Sequence, residues 1–188
     1  GALQLLDRSG AVRPDVANTL AYMQRNGSVT FPSLHCSFPS TSRSHVPMTT
    51  GGPTSTQGSI NDQYSRRYRG VTLQSLLKEA GFSMGLFASS DLNFESLDKW
   101  LMHQEYDKFH HYGNADAAFR TNNYLNSWGG NDHSVGKLAA DWLIQQDRTG
   151  RPGFAHILTD STHHPYSTPT GYQNPFSSND PRLDAYHN

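Results

Sequence analysis

"TLQSLLKEAGFSMGLFAS" (Thr72–Ser89) is the stretch that decides the fold class. Leu73, Leu76, Leu77 and Ala80 recur at helical spacing on one side of a compact amphipathic helix, and Gly81 is its stop. "FSMGLFAS" then reads as a buried strand. Helix, glycine, then strand is a unit of an α/β sheet. The same grammar recurs on both sides. Val16, Leu20 and Met23 keep helical spacing after Pro14 and stop at Gly27. "SVTFPSLHC" (28–36) predicts a short strand, which Pro32 confines to an edge or a strand end. Residues 51–69 are rich in Gly, Ser, Thr and Gln and read as a loop. "ESLDKWLMHQ" (95–104) predicts a second helix, and "YDKFHHYGN" (106–114) a strand or a loop. "SVGKLAADWLIQQ" (134–146) is a third clear helix, with Val135, Leu138, Ala139, Trp142 and Leu143 facing one way, and "GFAHILTD" (153–160) is the next strand. From Ser161 onward the chain is rich in Pro, Ser and Asn, with no periodicity. The alternation specifies α/β, with an incomplete or partly parallel sheet.

Composition narrows the function classes. Formal net charge is -1 over 188 residues, so the basic excess of a nucleic-acid or membrane-surface footprint is absent. Ten histidines stand out, because imidazole serves metals, oxyanions and proton transfer near neutral pH. The one cysteine, Cys36, excludes an internal disulfide. No apolar run approaches the ~20 residues that span a bilayer, and no signal peptide opens these residues. Asn26-Gly27-Ser28 is a glycosylation sequon of the kind that arises often by chance.

In α/β folds chemistry collects at the carboxyl ends of strands. Two predicted strands end in suggestive loops, "PSTSRS" and "DSTHHPY". The hydroxyl run has two readings. Ser40, Thr41 or Ser42 caps a helix, or the free N–H groups of that helix start hold an anion beside a hydroxyl nucleophile, with Arg43 as a bidentate donor. His163 and His164, just past a strand end, read either as surface residues or as oxyanion ligands. His110, His111 and His133 lie in polar segments and read as surface residues. Asp91, also past a strand end, either positions substrate or caps the next turn.

Four ordered blocks carry a family resemblance: "RPDVANTLAYMQRNGSVTFPSLHCSFPSTSRS", "TLQSLLKEAGFSMGLFASSDLNFESLDKWLMHQEYDKF", "WGGNDHSVGKLAADWL" and "GFAHILTDSTHHPY". Together they resemble the sulfatase branch of the alkaline phosphatase superfamily, nearest to its lipoteichoic acid synthase-like, membrane-anchored members. The resemblance implies an alkaline-phosphatase-like mixed sheet flanked by helices, incomplete in this chain. It implies a nucleophile ten positions before the small residue that ends its helix. Counting back from Gly51 gives Thr41, with Ser42 as the adjacent alternative. It makes Thr41 a metal ligand as well, and His163 of the His-x-Pro turn a substrate-oxyanion ligand. Arg43 is similar to the arginine near the sulfatase nucleophile, at a shorter spacing. Cys36 is not the nucleophile, because Pro39 comes one residue too late for the Cys-x-Pro-x-Arg pattern.

What the resemblance implies for function is a metal-dependent hydrolase of sulfate or phosphate esters, using Mn, Mg, Ca or Zn. Alternatives are a phosphoglycerol- or phosphoethanolamine-type transferase of cell-envelope polymers, and a non-catalytic anion-binding relative. It implies an anionic ester as partner, no nucleic acid, and a cell-envelope location with the catalytic domain outside the cytoplasm. Before Pro14 the only acid is Asp7, and after Tyr166 come Asp180, Asp184 and His187, with no adjacent Asp-His pair. Residues 1–188 therefore read as one partial catalytic domain, the N-terminal part, without the C-terminal metal-binding part. On its own it is expected to bind anions weakly and not to hydrolyse them.

Overall fold

The computed structural model describes residues 18–29, 31, 35, 36, 39–55, 57 and 68–172. The chain divides into two compact units, Gly1–His35 with Gly171–Asn188, and Cys36–Thr170. The first contains helix α1 (Asn18–Arg25), in which Ala21 is buried and Tyr22 and Met23 are exposed.

The second unit carries the sheet. Its elements are α2 (Thr41–Thr50), α3 (Leu73–Glu79), β1 (Ser83–Ala88), α4 (Leu97–Met102), β2 (Lys108–His111), α5 (Ala117–Asn123), β3 (Tyr124–Asn126), β4 (Gly129–Gly130), α6 (Asp132–Arg148) and β5 (Gly153–Leu158). β1 is central, between β2 and β5, and both pairings are parallel. Antiparallel pairing among the described residues occurs in the short β3–β4 ribbon and in an isolated bridge between Ser90 and Gly129. The fold is thus α/β with a parallel sheet flanked by helices.

β1 is buried at every position, as a central parallel strand covered on both faces must be. On one face Leu86 and Ala88 join Val46, Leu92, Leu97, Trp100 and Leu101; on the other Phe87 meets Val135, Ala139 and Trp142. Trp100 is 0% exposed and anchors the first cluster. Full burial of such an aromatic removes some 150–250 Å² from water.

α3 begins with a reciprocal cap. Thr72 Oγ1 accepts from Ser75 N–H at 3.1 Å, and Ser75 Oγ accepts from Thr72 N–H at 2.9 Å. Gly81 stops it at φ +87°, a backbone region where a side chain is strained. The apolar side read from sequence is not the buried one. Leu73 and Leu76 are exposed, Leu76 by 53%, while Gln74 is 2% exposed. Gln74 is drawn inward by the Tyr106 hydroxyl, to which its Nε2 donates at 3.0 Å. A buried hydrogen bond thus sets the helix's rotation against its hydrophobic pattern.

Three other expectations change. The helix expected from 95 starts at Leu97, because Glu95 and Ser96 have φ of +51° and +56°. His111 is not a surface residue: it is 4% exposed, and its Nδ1 accepts from the N–H groups of Leu92 at 3.3 Å and Gly113 at 3.2 Å. His110 is half-buried, edge-on to Phe119. Burial is the first cause that lowers the pKa of both rings. Of the stretch 28–36, residues 28, 29, 31, 35 and 36 are not in a strand; the others lie outside the described residues. Within 106–114, read as a strand or a loop, Lys108–His111 is a strand, and 134–146 lies within α6.

Candidate functional site

The carboxyl ends of β1 and β5 open on a cavity of about 560 Å³, walled by three segments. The start of α2 contributes Ser40, Thr41, Ser42 and His45; the loop after β1 contributes Asp91, Phe94 and Glu95; the loop after β5 contributes Thr159, Asp160, Thr162 and His163. Trp128 of the β3–β4 turn completes it. The cavity brings Thr41, Ser42 and His163 together. Arg43 does not line it, and its Nη1 donates to the Ser55 carbonyl at 2.6 Å.

The start of α2 is exposed at Thr41 and buried at Ser42. Ser40 is the N-cap in extended conformation (φ -145°, ψ 133°), yet its side chain makes no capping hydrogen bond. Ser40, Thr41 and Ser42 line the cavity, so the partial positive charge of the helix start lies at its wall. Ser42 Oγ donates to Glu95 Oε2 at 2.5 Å. At the other end Gly51 closes the helix at φ +68°, its N–H donating to the Pro47 carbonyl at 2.9 Å.

The loop after β5 is held by Asp132, the first residue of α6. Its Oδ1 accepts from Ser89 Oγ at 2.5 Å and Asp160 N–H at 2.8 Å, and its Oδ2 from Ser161 N–H at 2.9 Å. One carboxylate at a helix start thereby ties β1, α6 and the β5 loop into one frame. Asp132→Ala leaves two N–H groups without acceptors and the Ser89 hydroxyl with only the Leu158 carbonyl at 3.3 Å. It is expected to cost about 3 kcal/mol or more, read as a lower denaturant midpoint at unchanged m-value. The Gly129 backbone passes the same corner so closely that a Cβ there would lie 2.0 Å from the Ser89 carbonyl oxygen, which no side chain permits.

His163 N–H donates to the Asp160 carbonyl at 2.8 Å, closing the turn. Its Nδ1 lies 2.8 Å from the His164 carbonyl. A carbonyl only accepts, so Nδ1 carries the hydrogen and Nε2 is left for the cavity. A charged ring donates from Nε2 to an anionic oxygen; a neutral one accepts there. Trp128 packs on this ring with centroids 4.5 Å apart.

Three residues of the cavity were not singled out from sequence as site residues. Asp160 is 7% exposed, and its Oδ2 has no hydrogen-bond partner among the described residues. Burial raises its pKa, with Asp132 adding to the rise and His163 and His164 opposing it. Glu95 had been placed inside a helix; its reach to Ser42 spans 53 positions, a separation with no local signal. His45 lies on the cavity floor with Nδ1 unpartnered among the described residues, and burial, then His156, lowers its pKa to about 4. Asp91 lines the cavity and caps the next turn, its Oδ1 accepting from Asn93 N–H at 3.0 Å.

The divalent cation implied by the resemblance needs several convergent ligands. Among the described residues no group of three or more His, Cys, Asp or Glu is placed to hold one. Asp7, Asp180, Asp184 and His187 lie outside the described residues. The described residues thus do not by themselves fit a metal centre, and no step below runs through one.

The family model described as Sulfatase matches residues 7–188. A search of curated proteins finds no match. Among solved structures, the lipoteichoic acid synthase LtaP from Listeria monocytogenes aligns with a TM-score of 0.64 at 18% identity, covering 80% of this chain and 36% of that one. An alkaline phosphatase superfamily protein from Vibrio parahaemolyticus aligns with a TM-score of 0.60 at 21% identity, covering 78% of this chain and 35% of the other. The chain thus spans about a third of the length of the structures it matches.

Proposed function

The chain belongs to the sulfatase family, and from that premise we propose that its cavity is the nucleophile side of a hydrolase acting on sulfate or phosphate esters. The observation that carries this reading is the start of α2. Ser40 makes no side-chain cap, and the positive end of the helix lies at the wall of a cavity that also holds Thr41 and His163. Such a helix start stabilises a bound oxyanion and the charge that develops on it.

In the proposed reaction Thr41 Oγ attacks sulfur or phosphorus, the bond to the ester oxygen breaks, and the alcohol leaves. Water then attacks the threonyl ester, releasing sulfate or phosphate and restoring the hydroxyl. His163, when charged, donates from Nε2 to a non-bridging oxygen. Arg43, bound to Ser55, shapes the loop beside α2 and would reach the oxyanion only by giving up that bond. The family resemblance assigns a divalent cation to the activation of the hydroxyl; Thr41 would supply one ligand. An extracytoplasmic, membrane-anchored setting belongs to the same proposal, although no helix among the described residues is long and apolar enough to cross a membrane.

The test is hydrolysis of p-nitrophenyl sulfate and p-nitrophenyl phosphate with manganese, magnesium, calcium or zinc supplied, on the longest form of the protein. Adding glycerol separates a hydrolase from a transferase by product. His163→Ala is expected to lower kcat by roughly 10²–10³, the loss of one oxyanion donor, while His164→Ala has a mild effect. Equal small effects at the two positions would make the pair structural. No turnover of either ester with any of the four metals would sink the hydrolase reading.

A further inference from the structure

Hydrolysis of a threonyl ester calls for a base. Water is a weak nucleophile, and the oxygen that attacks sulfur or phosphorus has to lose a proton as it does so. The cavity is lined by the carboxyl groups of Asp91, Glu95 and Asp160 and by the imidazoles of His45 and His163. Four of these five are engaged otherwise. Asp160 and His45 are buried. Asp91 Oδ1 accepts from Asn93 N–H at 3.0 Å and lies 3.6 Å from Nδ1 of the buried His111. His163 is the ring read as the oxyanion ligand.

Glu95 is the exposed one of the five. Its Oε2 accepts from Ser42 Oγ at 2.5 Å. Ser42 is buried, so the carboxylate is fastened to a fixed point on α2, one residue along from Thr41. Among the described residues its Oε1 has no hydrogen-bond partner, and no lysine or arginine lines the cavity to neutralise it. The backbone is bent to this placement. Glu95 and Ser96 have φ of +51° and +56°, a left-handed region that residues other than glycine seldom enter and that clusters at functional sites.

We propose that Glu95 is the general base of the second half of the reaction, taking the proton of the water that attacks the threonyl ester. The inference rests on the reading of the cavity as the ester's seat and adds the residue that regenerates the nucleophile. The Glu95 carboxylate takes one proton of the water, the water oxygen bonds to sulfur or phosphorus, and the bond to Thr41 Oγ breaks with its electron pair on Oγ. The proton then passes from Glu95 to Oγ, which restores the hydroxyl and the carboxylate and releases sulfate or phosphate. The bond to Ser42 occupies Oε2 and leaves Oε1 for the water. The base comes from the loop after β1, and His163 from the loop after β5, so proton transfer and oxyanion binding fall to separate walls.

Glu95→Gln keeps the shape of the side chain and an acceptor for Ser42 and removes the base. Glu95 is exposed, so the substitution leaves the core untouched. The longest form of the protein is given p-nitrophenyl sulfate or phosphate with the metal that supports turnover, and p-nitrophenol is followed from the first turnover into steady state. In the variant kcat is expected to fall by roughly 10²–10⁴, and KM with it. The ratio kcat/KM reports the steps up to departure of the alcohol and is expected to stay unchanged. A burst of p-nitrophenol precedes the slow phase, and mass spectrometry of the quenched variant finds a sulfo or phospho group on the peptide that carries Thr41. An unchanged kcat overturns the inference. So does a kcat/KM lowered in step with kcat and without the adduct, which would make Glu95 a positioning residue for α2. A wild type that releases no p-nitrophenol removes the ester reading, and the inference falls with it. A wild type that turns over beside an unaffected Glu95→Gln removes the inference alone.

Discussion

Thr41→Ala is expected to lower turnover of an aryl sulfate or phosphate by at least about a thousandfold, equivalent to about 4 kcal/mol in the barrier. Thr41 is the first residue of α2, exposed, on the cavity wall, at a helix start whose positive end lowers the cost of an alkoxide. Its neighbour is differently placed. Ser42 is buried and its hydroxyl is engaged by Glu95. Ser42→Ala should therefore act through the placing of Glu95 and lose far less. The measurement is kcat for both variants in the form of the protein that turns the ester over, with circular dichroism as a check on folding. An inactive Ser42→Ala beside an active Thr41→Ala would move the nucleophile by one residue. In that case the short contact to Glu95 becomes the activating one.

Acidification should destabilise this fold steeply between pH 6.5 and 4. His45 and His156 stack with centroids 5.2 Å apart, and burial lowers each to about 4, with His156 adding to the effect on His45. Behind them Gln74 donates to the Tyr106 hydroxyl, which lies 2.7 Å from His156 Nδ1. With Gln74 supplying the tyrosine oxygen, the phenol proton points to Nδ1 and holds that ring neutral. Burial also raises Tyr106 to about 12, so the phenol remains a donor. The sign follows from proton counting. Below pH 6.5 the unfolded chain protonates both rings and the folded one does not, so the unfolded state binds more protons and stability falls with pH. Between pH 7 and 4.5 the pair contributes a loss on the order of 5 kcal/mol. His110 and His111, also lowered, act in the same direction, whereas Asp160, raised, acts in the opposite one. Urea midpoints at pH 7 and 4.5 read this out. His45→Leu should remove about half of the pair's pH dependence. An unchanged dependence in that variant would mean that the buried pair does not govern acid unfolding.

Local pattern alone determined the α/β class, the Thr72–Ser89 unit, the body of α6 (134–146) and a strand starting at 153, because periodicity, caps and glycine stops act within a few residues. The family blocks added Thr41, Ser42 and His163, and these share one cavity because His163 follows β5, the neighbour of β1, while α2 packs on β1 through Val46 against Leu86 and Ala88. Tertiary structure decided the rest. The rotation of α3 follows a hydrogen bond from Gln74 to Tyr106, 32 positions away, against the leucine pattern. His111 is buried because two backbone N–H groups found its ring as an acceptor. Glu95 and Asp160 became cavity residues through a left-handed turn and through the Asp132 clamp. A polar side chain in the sequence carries no sign of which distant partner will satisfy it. A hydrophobic one announces its burial by spacing, and so the scaffold was legible where the chemistry of its cavity was not.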